Sequence, residues 1–202
     1  MTPSPFHFLP SAHFDLRPRG IQVDLLVIHA ISLPPGEFGG DGVDDLFLGR
    51  LDPNAHPFYQ EIATLRVSAH FLIRRQGALT QYVPTDCRAW HAGVSRWQKR
   101  THCNDFSLGI ELEGDEKTPF ETVQYYQLAR LIRTLQRRYP AITDQRIVSH
   151  QQIAPQRKWD PGPGFDWHVF YAILAQASPC NQWPLVWQCP TRQREKEETK
   201  QS

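Results

Sequence analysis

Ile21-Gln22-Val23-Asp24-Leu25-Leu26-Val27-Ile28-His29 is the stretch on which the fold turns. Its near-continuous apolar run, Ile21, Val23, Leu25, Leu26, Val27 and Ile28, fits a strand from Ile21 to Ile28 buried on both faces. Such a strand belongs inside a sheet with helices packed on it. It delivers His29 at its C-terminal end, where open sheets often place ligand sites. A lone histidine there is also compatible with an ordinary structural role.

Working outward, Val67 to Ile73 and Leu79 to Val83 are β-prone runs joined by Arg74-Arg75-Gln76-Gly77-Ala78, which predicts a hairpin. His70 then falls in the core or on a sheet face. Phe106 to Leu112 is a further strand whose period of 2 sets Ile110 and Leu112 on one face and Gly109, Glu111 and Glu113 on the other. A carboxylate in an otherwise apolar strand needs a partner or a task. Two readings of Glu111 stay open: a pocket residue with space left beside it by Gly109, or a salt-bridged residue on a partly solvated face.

Thr118, Pro119 and Glu121 predict a capped helix start, and Val123, Leu128, Leu131, Ile132 and Leu135 follow helical spacing until Tyr139-Pro140. Arg146 to Ser149 reads as a short strand presenting His150. Asp166 caps a last helix, Trp167 to Gln176, with Val169, Phe170, Ile173 and Leu174 facing inward. Strands that include a hairpin, interleaved with helices, give an α+β class: a single domain with a mixed central β-sheet flanked by α-helices.

The 202 residues suit one domain with a real core. The boundaries read as an N-terminal arm at 1–20, a catalytic domain at 21–177 and a C-terminal extension at 178–202. The extension's charged end, Arg192 to Ser202, is expected to be disordered. Residues 33–58, rich in Pro, Gly and Asp, read as a long loop forming the wall or lid of a groove, with Glu37, Asp41, Asp44 and Asp45 solvated. A formal net charge of +1 offers no basic stripe, so no nucleic-acid partner is expected. The sequence has no apolar run of membrane-spanning length and no secretory signal pattern, which predicts no membrane partner and a cytoplasmic location. Cys87, Cys103, Cys180 and Cys189 lack a Cys-x-x-Cys pairing and are expected to be reduced thiols.

Ser149 to Trp167 is the stretch richest in chemistry. His150 and Asp160 are both competent zinc ligands within a Pro- and Gly-rich path, and a catalytic zinc usually takes three protein ligands. If the ends of strands 21–28, 106–112 and 146–149 converge, His29 completes a His, His, Asp set with an open fourth position, the form of a hydrolytic zinc site. Glu111 would then move the proton from water to a leaving amine, and Lys158 would meet the oxyanion. Cys87 to Gly93, with Trp90 and His91, and the basic run of Arg96, Lys99 and Arg100 read either as plain exposed loops or as a rim holding a polar, anionic ligand.

Several runs carry a resemblance: Val27-Ile28-His29-Ala30-Ile31-Ser32-Leu33-Pro34-Pro35-Gly36-Glu37-Phe38-Gly39, Arg66-Val67-Ser68-Ala69-His70-Phe71, Arg88-Ala89-Trp90-His91-Ala92-Gly93-Val94-Ser95, Cys103 to Gly114, and Arg157-Lys158-Trp159-Asp160-Pro161-Gly162. Over residues 20 to 175 the chain resembles the AmpD family, cytoplasmic zinc-dependent N-acetylmuramoyl-L-alanine amidases that recycle anhydro-muropeptides. The resemblance implies a mixed sheet flanked by helices, one catalytic Zn2+, and cleavage between the lactyl group of 1,6-anhydro-N-acetylmuramic acid and L-Ala of the stem peptide. It puts His29, His150 and Asp160 on the zinc-ligand positions, Glu111 on the acid/base position and Lys158 on the position that stabilises the intermediate. Arg66 and Trp90 fall in stretches that line the substrate groove. The implied partner is a small-molecule muropeptide, with no obligatory protein partner. Ala30, His102 and Trp159 depart from the family pattern, and Arg100 is the nearby cation that could replace one missing at 102. A non-catalytic peptidoglycan-fragment binding module and an amidase of polymeric cell wall are the competing expectations.

Overall fold

The computed structural model describes residues 5–190. In chain order the elements are β1 (Phe6–Phe8), β2 (Phe14–Leu16), β3 (Leu25–Ile31), α1 (Gly42–Leu48), α2 (Pro57–Ile62), β4 (Phe71–Ile73), β5 (Leu79–Gln81), β6 (Cys87–Ala89), β7 (Arg96–Trp97), β8 (Arg100–Thr101), β9 (Ser107–Glu113), α3 (Thr122–Arg138), β10 (Ile147–Ser149), α4 (His150–Ile153) and α5 (Trp167–Gln176). Six strands form one sheet in the order β1-β5-β4-β9-β3-β10. Pairing is parallel throughout except for the β4–β5 hairpin, so the sheet is mixed as expected.

β3 and β9 are adjacent interior strands, buried except for Ala30 and Ile31 at the end of β3, and their alternation separates two jobs. Leu26 and Ile28 of β3, with Leu108, Ile110 and Leu112 of β9, face a core shared with Leu128, Leu131, Ile132 and Leu135 of α3 and Phe170 and Leu174 of α5. The alternate residues face the opposite side. There Leu25 and Val27 pack with Ala92, Cys103, Phe106 and Val148, and His29 and Glu111 follow on the same face. The helix layer is scaffold, and the other face carries the chemistry.

The expected strand from Ile21 begins later, at Leu25: Ile21 closes a turn onto Pro18 and is 43% exposed. The strand therefore continues past His29 to Ile31. Helix α3 also starts later than Thr118. The Asp115 carboxylate accepts from the N–H groups of Lys117 and Thr118, holding a separate turn, and Phe120 is spent on the core. Glu121 is the N-cap, with its N–H donated to the Gln124 side chain. Helix α5 runs from Trp167 to Gln176 with Asp166 accepting from His168 and Val169, but Val169 itself is exposed.

Residues 33–58 are not one long loop, since α1 and the start of α2 lie within them. Val43, Leu46, Phe47 and Tyr59 bury against Leu72, Tyr82 and Val83. Asp44 is not solvated: Arg74 pairs with it at 3.0 Å, and the Tyr82 hydroxyl donates to it. Glu113 anchors the same wall, accepting from Arg74 at 2.9 Å and from the Gly39 N–H at 2.7 Å.

The cysteine expectation is overturned for one pair. Cys87 and Cys189 form a disulfide, while Cys103 and Cys180 are free and buried. Spacing could not show this because 102 positions separate the two. They meet because residues 180–189, without regular structure, pack back on the domain. Val186 exchanges hydrogen bonds with the Gln81 side chain, Asp86 N–H donates to Trp187 O, and Cys180, Trp183 and Leu185 are buried. At the other terminus β1 adds an edge strand beside β5. The tail expected to be disordered, Arg192 to Ser202, lies outside the described residues. Because the bridge closes a long loop, Cys189→Ser is expected to cost about 2–4 kcal/mol, measured by denaturant unfolding of the oxidised protein.

Candidate metal centre

Parallel pairing builds the site. In the β3–β9 register His29 stands opposite Glu111, and in the β10–β3 register Ser149 stands opposite Ile28. His150 follows Ser149 directly as the first residue of α4, and this advances it beside His29. The Ser149 side chain accepts from Gln152 N–H and the Gln152 side chain accepts from Ser149 N–H, so the strand turns into the helix at a fixed point. Asp160 arrives on the following loop, its backbone carbonyl taking the Gln151 N–H at 3.0 Å.

His29, His150 and Asp160 are buried together. His29 Nδ1 lies 2.9 Å from His150 Nδ1, and each lies 3.1 Å from Asp160 Oδ2. His150 Nε2 lies 3.2 Å from the Ala92 carbonyl, which can only accept, so the ring donates from Nε2 and can turn a lone pair at Nδ1 into the triangle. This donor set fits a metal. Two imidazole nitrogens and a carboxylate oxygen are zinc-type donors, and ligand atoms on a tetrahedral zinc stand roughly 3.3 Å apart, a few tenths of an ångström wider than here.

Burial first, and the neighbouring His150 ring next, hold the pKa of His29 down at about 4, so this ring is neutral, as a ligand must be. For Asp160 burial acts upward, but the His150 and His29 rings at its Oδ2 outweigh it and hold the carboxyl well below its ordinary range. Glu111 goes the other way. Burial, with the Asp160 charge adding to it and Lys158 opposing, pushes its pKa well above that of an ordinary glutamate. Its Oε2 is buried and has no hydrogen-bond partner among the described residues. Glu111 does line a pocket, though not through space left by Gly109, and the salt-bridged carboxylate of this strand is Glu113.

A pocket of about 270 Å3 opens over this group, lined by His29, Glu111, His150, Lys158 and Asp160 together with Phe47, Phe58, Trp90 and His91. A larger concavity of about 560 Å3 adjoins it, sharing Ala30, Phe58, Lys158 and Asp160 and walled by Trp159, Asp115 and Glu116. Trp159 lies close enough to Gly162 that a Cβ there would come within 2.9 Å of its ring. Exposed Arg66 sits over the Trp90 ring at 5.3 Å, at the edge of the first pocket. Arg100 is not brought to the site. It pairs with Asp24 at 2.9 Å and covers Phe106 at 3.8 Å, beside the N-terminal end of β3, whereas His29 lies near the other end.

The sequence put His91 with Trp90 in a rim loop, but did not connect it with His29. The space beside Gly109 is not open pocket but is filled by the His91 ring, whose Cγ would lie 2.4 Å from a Cβ at 109. A glycine amid large apolar residues of a central strand was the available signal, since such a residue often marks the close approach of another group.

Fold and site together describe a chain that could hold one metal ion at the C-terminal edge of a mixed sheet, with an unpaired carboxyl and a lysine beside it. Residues 19–163 match the N-acetylmuramoyl-L-alanine amidase family, and the chain belongs to it. It is 59% identical over 170 residues, 84% of this chain and 90% of the other, to the 1,6-anhydro-N-acetylmuramyl-L-alanine amidase AmpD of Salmonella typhimurium strain SL1344. Identity to AmpD of Escherichia coli K12 is 56%, over 83% of this chain and 91% of that one. Its fold matches a crystal structure of selenomethionine AmpD with a TM-score of 0.81, at 55% identity over 86% of this chain and 96% of that chain. The amidase AmiD of E. coli, solved with anhydro-N-acetylmuramic acid-L-Ala-D-γ-Glu-L-Lys, matches at a TM-score of 0.55 and 31% identity, over 78% of this chain and 60% of that chain. No helix among the described residues is long and apolar enough to cross a membrane.

Proposed function

We propose that the chain is a zinc-dependent amidase that hydrolyses the bond between the lactyl group of 1,6-anhydro-N-acetylmuramic acid and L-Ala of the stem peptide, in peptidoglycan recycling. One observation carries the reading: a buried His29, His150, Asp160 triangle shares its pocket with an unpaired Glu111 and with Lys158. A zinc ion held by those three residues would supply Lewis acidity toward the amide carbonyl and acidify water at neutral pH.

The chain's own groups do the rest. Glu111, whose raised pKa brings its proton affinity toward neutrality, takes a proton from water and gives it to the departing L-Ala nitrogen. Lys158 places a cation where the carbonyl oxygen gathers negative charge, which favours the transition state over the neutral amide. Trp90, with Arg66 over its face, offers an aromatic wall to the substrate, and the concavity beyond Lys158 and Asp160 gives room for a second arm. The departures at Ala30 and Trp159 both line that second concavity and so bear on specificity.

The deciding measurement is release of stem peptide from anhydro-muropeptide by purified protein of known zinc content, followed by mass spectrometry. Peptide release that stops on chelation and returns with zinc is expected. Zinc-loaded protein that binds the fragment and releases nothing would be a binding module instead. We place the reaction in the cytoplasm, on soluble fragments. The Cys87–Cys189 disulfide favours a second reading, action on polymeric peptidoglycan in an oxidising compartment, because disulfides persist poorly in reducing ones. Faster turnover on anhydro-muropeptide than on intact sacculi is expected, and the reverse preference would sink the recycling assignment.

The raised pKa of Glu111 also makes a stability prediction. A carboxyl whose pKa is higher folded than unfolded contributes stability that is lost as pH rises from the unfolded value, near 4.5, through the folded one. Metal-free Glu111→Gln, which never ionises, is therefore expected to melt above the metal-free wild type at neutral pH. The difference should close below pH 4.5, which melting curves across pH will show.

A further inference from the structure

His91 contacts neither Asp160 nor Glu111 in the hydrogen bonding of the site, yet it touches the ligand His29. Its Nδ1 lies 2.9 Å from His29 Nε2, its Nε2 lies 3.2 Å from Ser107 Oγ, and Ser107 Oγ lies 2.6 Å from the Cys103 carbonyl. The direction of this chain is forced from its far end. A carbonyl only accepts, so the Ser107 hydroxyl points its proton at Cys103. The serine oxygen then accepts from His91 Nε2–H, which leaves a lone pair at His91 Nδ1. His29 must donate to it from Nε2, and its own Nδ1 is left as a lone pair facing His150 and Asp160.

We infer that Ser107 and His91 form a positioning relay that fixes the tautomer and aim of His29 as a metal ligand. The next residue does the same for His150, through the Ala92 carbonyl that takes its Nε2 proton. One short segment therefore presets both imidazoles. It is held firmly: the Asn104 side-chain oxygen accepts from the N–H groups of His91 and Ala92 at 3.1 and 2.8 Å. Beneath it, the buried Arg17 guanidinium donates to the carbonyls of Asn104, Asp105 and Ser107, each at 2.9 Å. Gly109 lets the ring approach closely enough to reach both neighbours. Partners of this kind around a metal orient the ligands and raise affinity, and their loss typically costs 10–100-fold in binding.

The inference rests on the zinc reading of the site, and the test separates the two. Zinc affinity is measured by chelator competition, and the melting temperature of the metal-free protein is recorded for each variant. The wild type is expected to bind one zinc. His91→Phe, which keeps a ring but removes the acceptor, is expected to weaken zinc by roughly 10–100-fold. His91→Asn, whose amide oxygen falls near the lost Nδ1, should recover most of that loss, a distinction that a purely space-filling residue would not make. Ser107→Ala, which removes one hydroxyl and keeps the ring, should weaken zinc less than His91→Phe does, and it decides the matter if His91→Phe does not fold. Zinc binding by His91→Phe and Ser107→Ala indistinguishable from the wild type, or His91→Asn as weak as His91→Phe, overturns the relay while leaving the metal site standing. A wild type that takes up no zinc overturns both.

Discussion

Glu111→Ala is expected to keep its zinc and lose about 10²- to 10⁴-fold in kcat, the range removed with a general acid–base group. Retention of metal follows from position. Glu111 stands opposite His29 across the parallel pair, on the same sheet face, but its carboxyl is not part of the triangle that His29 and His150 Nδ1 form with Asp160 Oδ2. Loss of turnover follows from its setting, buried and with an unpartnered oxygen at the floor of the pocket. The fold should survive, because the deleted group is one that burial disfavours whenever it ionises. Steady-state kinetics with metal analysis on one preparation checks both halves. Near-normal turnover would move the proton transfer to another residue.

Asp160→Ala is expected to fail at an earlier step, metal retention. Asp160 is the only carboxylate among the three clustered donors, and without it two imidazoles face each other and no anion offsets the metal's charge. The loss should exceed the roughly 10–100-fold that outer-shell partners contribute. The backbone should stay in place, since the bond from Gln151 N–H goes to the carbonyl of residue 160, which alanine retains. Zinc content after dialysis against a mild chelator gives the readout. Full occupancy in this variant would remove Asp160 from the ligand set. The pair of variants also discriminates, because Glu111→Ala is inactive with metal and Asp160→Ala is inactive for want of it.

Much of this was legible in the chain. The apolar run ending at His29, the alternation that isolates Glu111 and the polar turn after His150 each follow from local spacing, because strand periodicity and turn chemistry act within a few residues. Boundaries were less legible where side chains had competing uses, as with Thr118 held by Asp115 and Phe120 drawn into the core. Residues 33–58 hid a helix, α1, because a stretch so rich in Pro, Gly and Asp masks the short apolar set of Val43, Leu46 and Phe47 that finds its partners in Leu72 and Tyr82.

By itself the sequence determined the mixed sheet, the three chemistry-bearing strand ends and the residue types able to hold a metal, since each is written in spacing or in side-chain chemistry. Tertiary structure alone decided the rest. It closed Cys87 onto Cys189 across 102 positions, sent Arg100 to Asp24 and filled the space beside Gly109 with His91. In each case the physical reason is the same: the partners are distant along the chain and meet only through strand register and packing, which no local pattern encodes.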